Sequence, residues 1–149
     1  MSRSDGDPGA RGRAIERRIF GEKADAIDAL MSELDPDVGR WAREFVFGDV
    51  WAHDALDFSE RLLVAIVSLA ALGKTEQLRN YLFGALTGGV PEAKVQQALA
   101  MICVYAGFPA AMNALVCWRE VKASDARRRG RERERRGALE AETDAPAGA

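Results

Sequence analysis

The chain has 149 residues, of which 48% are hydrophobic and 30% charged, with a formal net charge of -2. That length suits one globular domain of roughly 100–200 residues, and the mix is ordinary for one. The near-balance of charge gives no general pull toward nucleic acid. The longest apolar run, Leu62 to Leu72, is broken by Ser68 and falls short of the about 20 residues that span a bilayer. No nucleic-acid or membrane partner is expected.

In chain order, residues 1–10 are small, polar and Gly/Pro-bearing, and they read as disordered. The start MSRSDGDPGARGR lacks the apolar core of a secretory signal, so a cytoplasmic location is expected. Residues 11–123 read as one helical domain. Arg13 to Phe20 is a short helix. Lys23 to Leu34 follows, with Ala24, Ile27, Leu30, Met31 and Leu34 near a 3.6-residue period. Asp35-Pro36 supplies an N-cap acid and a first-turn proline. The next stripe is Val38, Trp41, Ala42 and Phe45, and Phe47-Gly48-Asp49 is expected to end that helix before the loop VWAHDAL.

Asp57 and Glu60 have capping-box spacing and open a helix, ERLLVAIVSLAALG, that is apolar on nearly every side and stops at Gly73. Thr75 is the expected N-cap of the next helix, which Gly88-Gly89 closes. Pro91 opens another in its first turn, running through Val95, Leu99, Ile102 and Cys103. After the Gly107-Phe108-Pro109 break, Met112, Leu115, Val116 and Val121 are the expected core positions. Residues 124–149 form a charged tail, with seven arginines from Arg127 to Arg136. It reads as disordered, or as a solvated extension of the last helix. No aromatic residues are interleaved to stack on bases. With no alternating strand, phosphate loop or repeat, the fold class is all-α, a compact antiparallel helical bundle.

The candidate chemistry is sparse. The single histidine, His53, lies in the loop beside Trp51 and Asp54, where it is either a surface residue or an acid–base group. Leu78, Tyr81, Leu82, Ala85 and Leu86 form one helical stripe. Tyr81 is therefore a satisfied core tyrosine or a phenol lining a pocket, and Gln77 is a candidate partner for its hydroxyl. Arg61 and Arg79 are the cations nearest the apolar helices, suited to a carboxylate. Tyr105 and Asn113 flank a helix break, where they line a cavity or satisfy the break. Cys103 and Cys117, fourteen residues apart, have no metal or redox spacing and read as apolar thiols.

RGRAIERRIFG, then FGDVWAHDALDFSERLLVAIVSLAALGKTEQLRNYLFGALTGGV, then VYAGFPAAMNAL resemble the carboxymuconolactone decarboxylase family over about residues 11–122. The resemblance implies that family's all-α fold, a homo-oligomer (trimer or hexamer) and a substrate pocket near the central helix pair. It also implies either cofactor-free decarboxylation or, in a branch with a CxxC pair, thiol peroxidase activity. The peroxidase cysteines would fall on Lys74 and Gln77, and without a thiolate that activity is excluded. The family histidine of the Thr75–Gly88 helix falls on Tyr81. A further acid falls on Leu62, a second histidine on Met101, and the loop arginine on His53.

The chain is thus expected to be an atypical, cofactor-free and metal-free decarboxylase-like enzyme. Its substrate is expected to be a small carboxylated or oxygenated cyclic compound, with Tyr81 and His53 catalytic and Trp51, Arg79, Tyr105 and Asn113 binding. Two alternatives stand beside that reading. One is a cyclase or isomerase recruited to specialised, polyketide-type metabolism. The other is a non-catalytic ligand-binding or assembly protein.

Overall fold

The computed structural model describes residues 6–143, and among them the chain is helical without strands. The helices are α1 (Pro8–Phe20), α2 (Ala24–Leu34), α3 (Pro36–Trp41), α4 (Phe58–Ala71), α5 (Thr75–Thr87), α6 (Glu92–Tyr105) and α7 (Phe108–Thr143). A 3-10 turn, Gly21–Lys23, joins α1 to α2, and α3 runs on as a π-helical segment, Ala42–Val50. The core is one cluster that includes Ile19, Leu62, Ile66, Leu82, Leu99 and Trp118, all nearly inaccessible. No described helix is long and apolar enough to cross a membrane.

The local signals act where the sequence puts them. Asp35 accepts from the backbone N–H of Asp37 and Val38. Asp57 and Glu60 form the full reciprocal capping box, each bond 2.8 Å long. Asp57→Ala is expected to cost about 1 kcal/mol, read from a denaturant melt. Gly73 and Gly89 take the left-handed conformation, with φ of 68° and 78°. The next amides, of Lys74 and Val90, then turn back to the carbonyls of Leu69 and Ala85 at 2.9 Å, the six-to-one bond of a Schellman end.

Several expectations are corrected. α1 starts at Pro8, inside the stretch read as disordered, because Asp7 accepts from Gly9 and Ala10 and proline suits the first turn. Residues 1–5 lie outside the described ones. Phe47-Gly48-Asp49 does not end a helix. The chain continues to Val50 with wider i→i−5 bonding, as from Trp51 N–H to Val46 O at 2.9 Å. Gly48 serves instead to let α1 approach, since a Cβ there would sit 2.4 Å from the Pro8 carbonyl oxygen.

Thr75 is the first helical residue rather than the cap; Lys74 occupies that place without a side-chain bond. Pro91 likewise stands one residue before α6. In α7 the buried face is Ala111, Ala114, Cys117, Trp118 and Val121, while Met112 and Val116 are exposed. Parts of the α2 and α3 stripes stay outside, with Leu34, Trp41 and Phe45 each more than half exposed, while Ala24 is buried and Ile27 and Ala42 pack against the core. Beyond Asp125, α7 continues as an Arg/Glu helix. Arg128–Glu132 and Arg136–Glu140 are spaced i,i+4, a spacing that supports an otherwise unpacked helix. Of the charged tail, residues 144–149 lie outside the described ones.

Candidate active site

A cavity of about 390 Å³ opens between the turn after the π-helical segment and the first half of α4. Trp51, His53, Ala55 and Leu56 come from the turn, and Arg61, Val64 and Ala65 from α4. The capping box fixes where α4 starts and therefore where Arg61 projects. Its guanidinium donates to the carbonyls of Trp51, His53 and Leu56. That cation is committed to shaping the turn and is not a free carboxylate clamp.

His53 is more than half exposed, and its Nδ1 accepts from the Ala55 backbone N–H at 3.2 Å. An accepting Nδ1 carries the lone pair, so in the neutral ring the proton sits on Nε2. Nε2 is then a donor. Asp54 Oδ1 lies 3.7 Å from Nδ1.

Trp51 forms the inner wall. It belongs to an aromatic cluster with Phe47, Phe58 and Tyr81, at centroid separations of 6.2, 6.3 and 5.7 Å. Phe20 meets Tyr81 edge-on at 5.6 Å. Tyr81 therefore sits behind Trp51, away from the cavity that His53 lines. It makes no hydrogen bond with Gln77; rings surround it. Burial, with a smaller contribution from the charge of Glu16, pushes its phenol up to about 12, so it stays protonated at neutral pH.

The other sequence candidates lie elsewhere. Arg79 pairs with Glu120 at 3.0 Å and lines a different cavity. Tyr105 is 81% exposed and Asn113 is exposed as well, and neither lines either cavity. These three are not brought to the Trp51–His53 cavity: Arg79 meets Glu120 of α7, and Tyr105 and Asn113 are open to solvent. The structure thus unites Trp51 with His53, and Trp51 with Tyr81, but not the three around one space. Cys103 and Cys117 are free thiols, and burial pushes Cys117 up. No cluster of metal-ligating side chains occurs among the described residues.

One residue went unnoticed in the sequence. Glu16 of α1 is 2% exposed, and its Oε1 has no hydrogen-bond partner among the described residues. Burial, then the nearby Asp28 carboxylate, raises it from 4.5 to about 7 against the pull of Arg43 and Arg13. The signal was present. Gly9, Gly12, Glu16, Ile19 and Phe20 form the buried stripe of α1, and only Glu16 among them carries charge.

Comparison with known proteins agrees with the architecture. A family model described as the carboxymuconolactone decarboxylase family matches residues 36–120, more than half of the chain. A 4-carboxymuconolactone decarboxylase of Acinetobacter baylyi is 28% identical over 112 residues, covering 74% of this chain and 84% of that protein. A nitrosuccinic acid decarboxylase of Metarhizium robertsii is 27% identical over 73 residues, 49% of this chain and 51% of that protein.

Proposed function

The chain belongs to the carboxymuconolactone decarboxylase family, and on that premise we propose that it is a cofactor-free lyase. It would remove CO2 from a small carboxylated substrate held in the Trp51–His53 cavity. The observation that carries this reading is an apolar cavity, walled by Val50, Leu56, Val64 and Ala65, with a single titratable imidazole on its rim.

Both relatives are named for decarboxylations. A lactone carbonyl and a nitro group are both electron acceptors, and the chemistry they share is simple. The bond to the carboxylate carbon breaks, CO2 leaves, and the electron pair stays on the remaining carbon. It spreads into the acceptor oxygen, and a proton then returns to carbon. The apolar walls withhold water from the carboxylate and favour the state in which charge is dispersed. The Nε2–H of His53 donates to the acceptor oxygen as charge develops, and a protonated His53 supplies the final proton.

Trp51 provides a flat wall, and Tyr81 holds that wall from behind. A homo-oligomer is part of the same reading. Val104, Tyr105 and Phe108, each at least 72% exposed, form an apolar face that such an assembly would cover.

His53→Ala is expected to lower kcat for CO2 release from 4-carboxymuconolactone or nitrosuccinate by about 10²-fold, the scale of general acid–base help. Full activity in that variant would remove His53 from the reaction. Tight binding of such acids with no CO2 released would make the chain a ligand-binding member.

A second reading is favoured by Glu16. A buried carboxyl that holds its proton to about pH 7, close enough to Tyr81 for its charge to act there, is the kind of group that serves as a proton donor. Loss of activity in Glu16→Gln with little change in His53→Ala would select it.

A further inference from the structure

A second cavity, about 480 Å³, lies between the end of α1, the 3-10 turn, α5 and α7. Arg17, Arg18, Lys23, Arg79 and Arg128 line it, against the carboxylates of Glu22 and Asp125. Five cations and two acids line this concavity, on a chain whose net charge is -2, and two further carboxylates meet the cations from outside the lining, Glu120 on Arg79 and Glu132 on Arg128. A concave surface of one sign focuses the field and concentrates counter-ions.

The two acids do not cancel that field evenly. Asp125 is 2% exposed and is held by Arg128, at 2.9 Å, and by Arg129. Burial alone would raise its carboxyl, yet these two hydrogen bonds keep it below the usual range. Its charge is thus committed to fixing Arg128. Arg17 meets Asp25 only at 3.5 Å with both side chains well exposed, a geometry of little strength.

Among the described residues Arg18 and Lys23 have no carboxylate partner. Their contacts are with rings, Arg18 3.7 Å from the centroid of Phe58 and Lys23 5.9 Å from that of Phe83. Arg128 lies 5.7 Å from the same Phe83 ring, and its Nε is buried without a hydrogen-bond partner. Phe20 and Phe83 supply apolar wall. Arg17, Arg18, Lys23 and Arg128 fall outside residues 36–120, the stretch the family model matches.

We propose that this cavity is a second small-molecule site that binds compact organic dianions, a phosphate monoester or a dicarboxylate on a small apolar body. Guanidinium groups recognise either head through paired N–H donors. The volume suits a small ligand, and the rings take its apolar part. The site is separate from the Trp51–His53 cavity, with which it shares no lining residue, so it stands whether or not the lyase reading does.

Isothermal titration of the full chain with phenyl phosphate and with phthalate, using benzyl alcohol as the neutral control, tests it. At least one dianion is expected to bind, more weakly at high salt, and the alcohol is not. Whichever dianion binds tighter identifies the head. Lys23→Gln with Arg17→Gln is expected to weaken binding about tenfold or more per lost cation, while His53→Ala leaves it unchanged. Both substituted residues are exposed. Should the double variant lose its thermal transition, Lys23→Gln alone reads the same loss. No binding of either dianion, binding indifferent to the loss of these cations, or binding abolished by His53→Ala would each overturn the proposal.

Discussion

Gly12→Ala is expected to destabilise the fold by about 3 kcal/mol or more, lowering Tm by about 10 °C in a thermal melt. A Cβ on Gly12 would lie 1.9 Å from the Arg43 carbonyl oxygen and 2.9 Å from its carbon. Both are backbone atoms of the π-helical segment, so no rotamer change relieves the overlap. α1 must move, and Glu16 and Phe20 move with it.

The sign of the effect is diagnostic. In an open helix the same substitution stabilises by about 1 kcal/mol, because glycine is a poor helix former. Gly130 of α7 provides that control, since a Cβ there meets nothing within 4 Å. Gly130→Ala should raise Tm slightly while Gly12→Ala lowers it. A Gly12→Ala protein as stable as the parent would mean that α1 does not cross the π-helical segment at this distance.

The stability of the protein is expected to fall by on the order of 3 kcal/mol between pH 4.5 and about 7, because of Glu16. In the unfolded chain this carboxyl loses its proton near pH 4.5; in the folded one it holds the proton to about pH 7. Below that window both states are protonated and nothing is lost. Inside it the unfolded chain has released a proton that the fold still binds, so rising pH favours unfolding. Above it the loss is complete and constant. Denaturant melts across this range should show the slope, and Glu16→Gln, a neutral mimic of the acid, should flatten it. An unchanged slope in that variant would assign the pH dependence to other groups.

How far the sequence speaks depends on whether a feature is local. Asp35, Asp57 with Glu60, Gly73 and Gly89 act within a few residues of chain, and the structure puts helix ends at each. Helical periodicity is local as well, and it located the apolar helices but not the start of α1 or the charged end of α7. It could not say which stripe would be buried. In α7 the set Met112, Leu115, Val116 and the set Ala111, Ala114, Cys117, Trp118 share one period. The packing of α7 on α5 and α6 buries the second set, Trp118 included, and leaves Met112 and Val116 outside. Leu34, Trp41 and Phe45, members of two such stripes, stay more than half exposed although Ala24, Ile27 and Ala42 of the same stripes meet the core.

The candidate site divides along the same line. Trp51 and His53 are neighbours in a loop, and the structure lines one cavity with both. Tyr81 was legible as part of an apolar stripe, but not as a ring behind Trp51. Arg61 looked like a carboxylate ligand until three carbonyls of the turn claimed it. Glu16 looked like one more charge among the many of α1.

The sequence by itself determined the helical class, the helix ends at Asp35, Asp57, Gly73 and Gly89, and the family. Those follow from residue identity and short spacing. Only the tertiary structure decided that Glu16 is buried beside Arg43, that Trp51 separates Tyr81 from His53, and that Arg17, Lys23, Arg79 and Arg128 converge on one cavity. Burial and electrostatic convergence are properties of surfaces brought together from distant parts of the chain. Close contacts at Gly12 and Gly48 set how those surfaces meet.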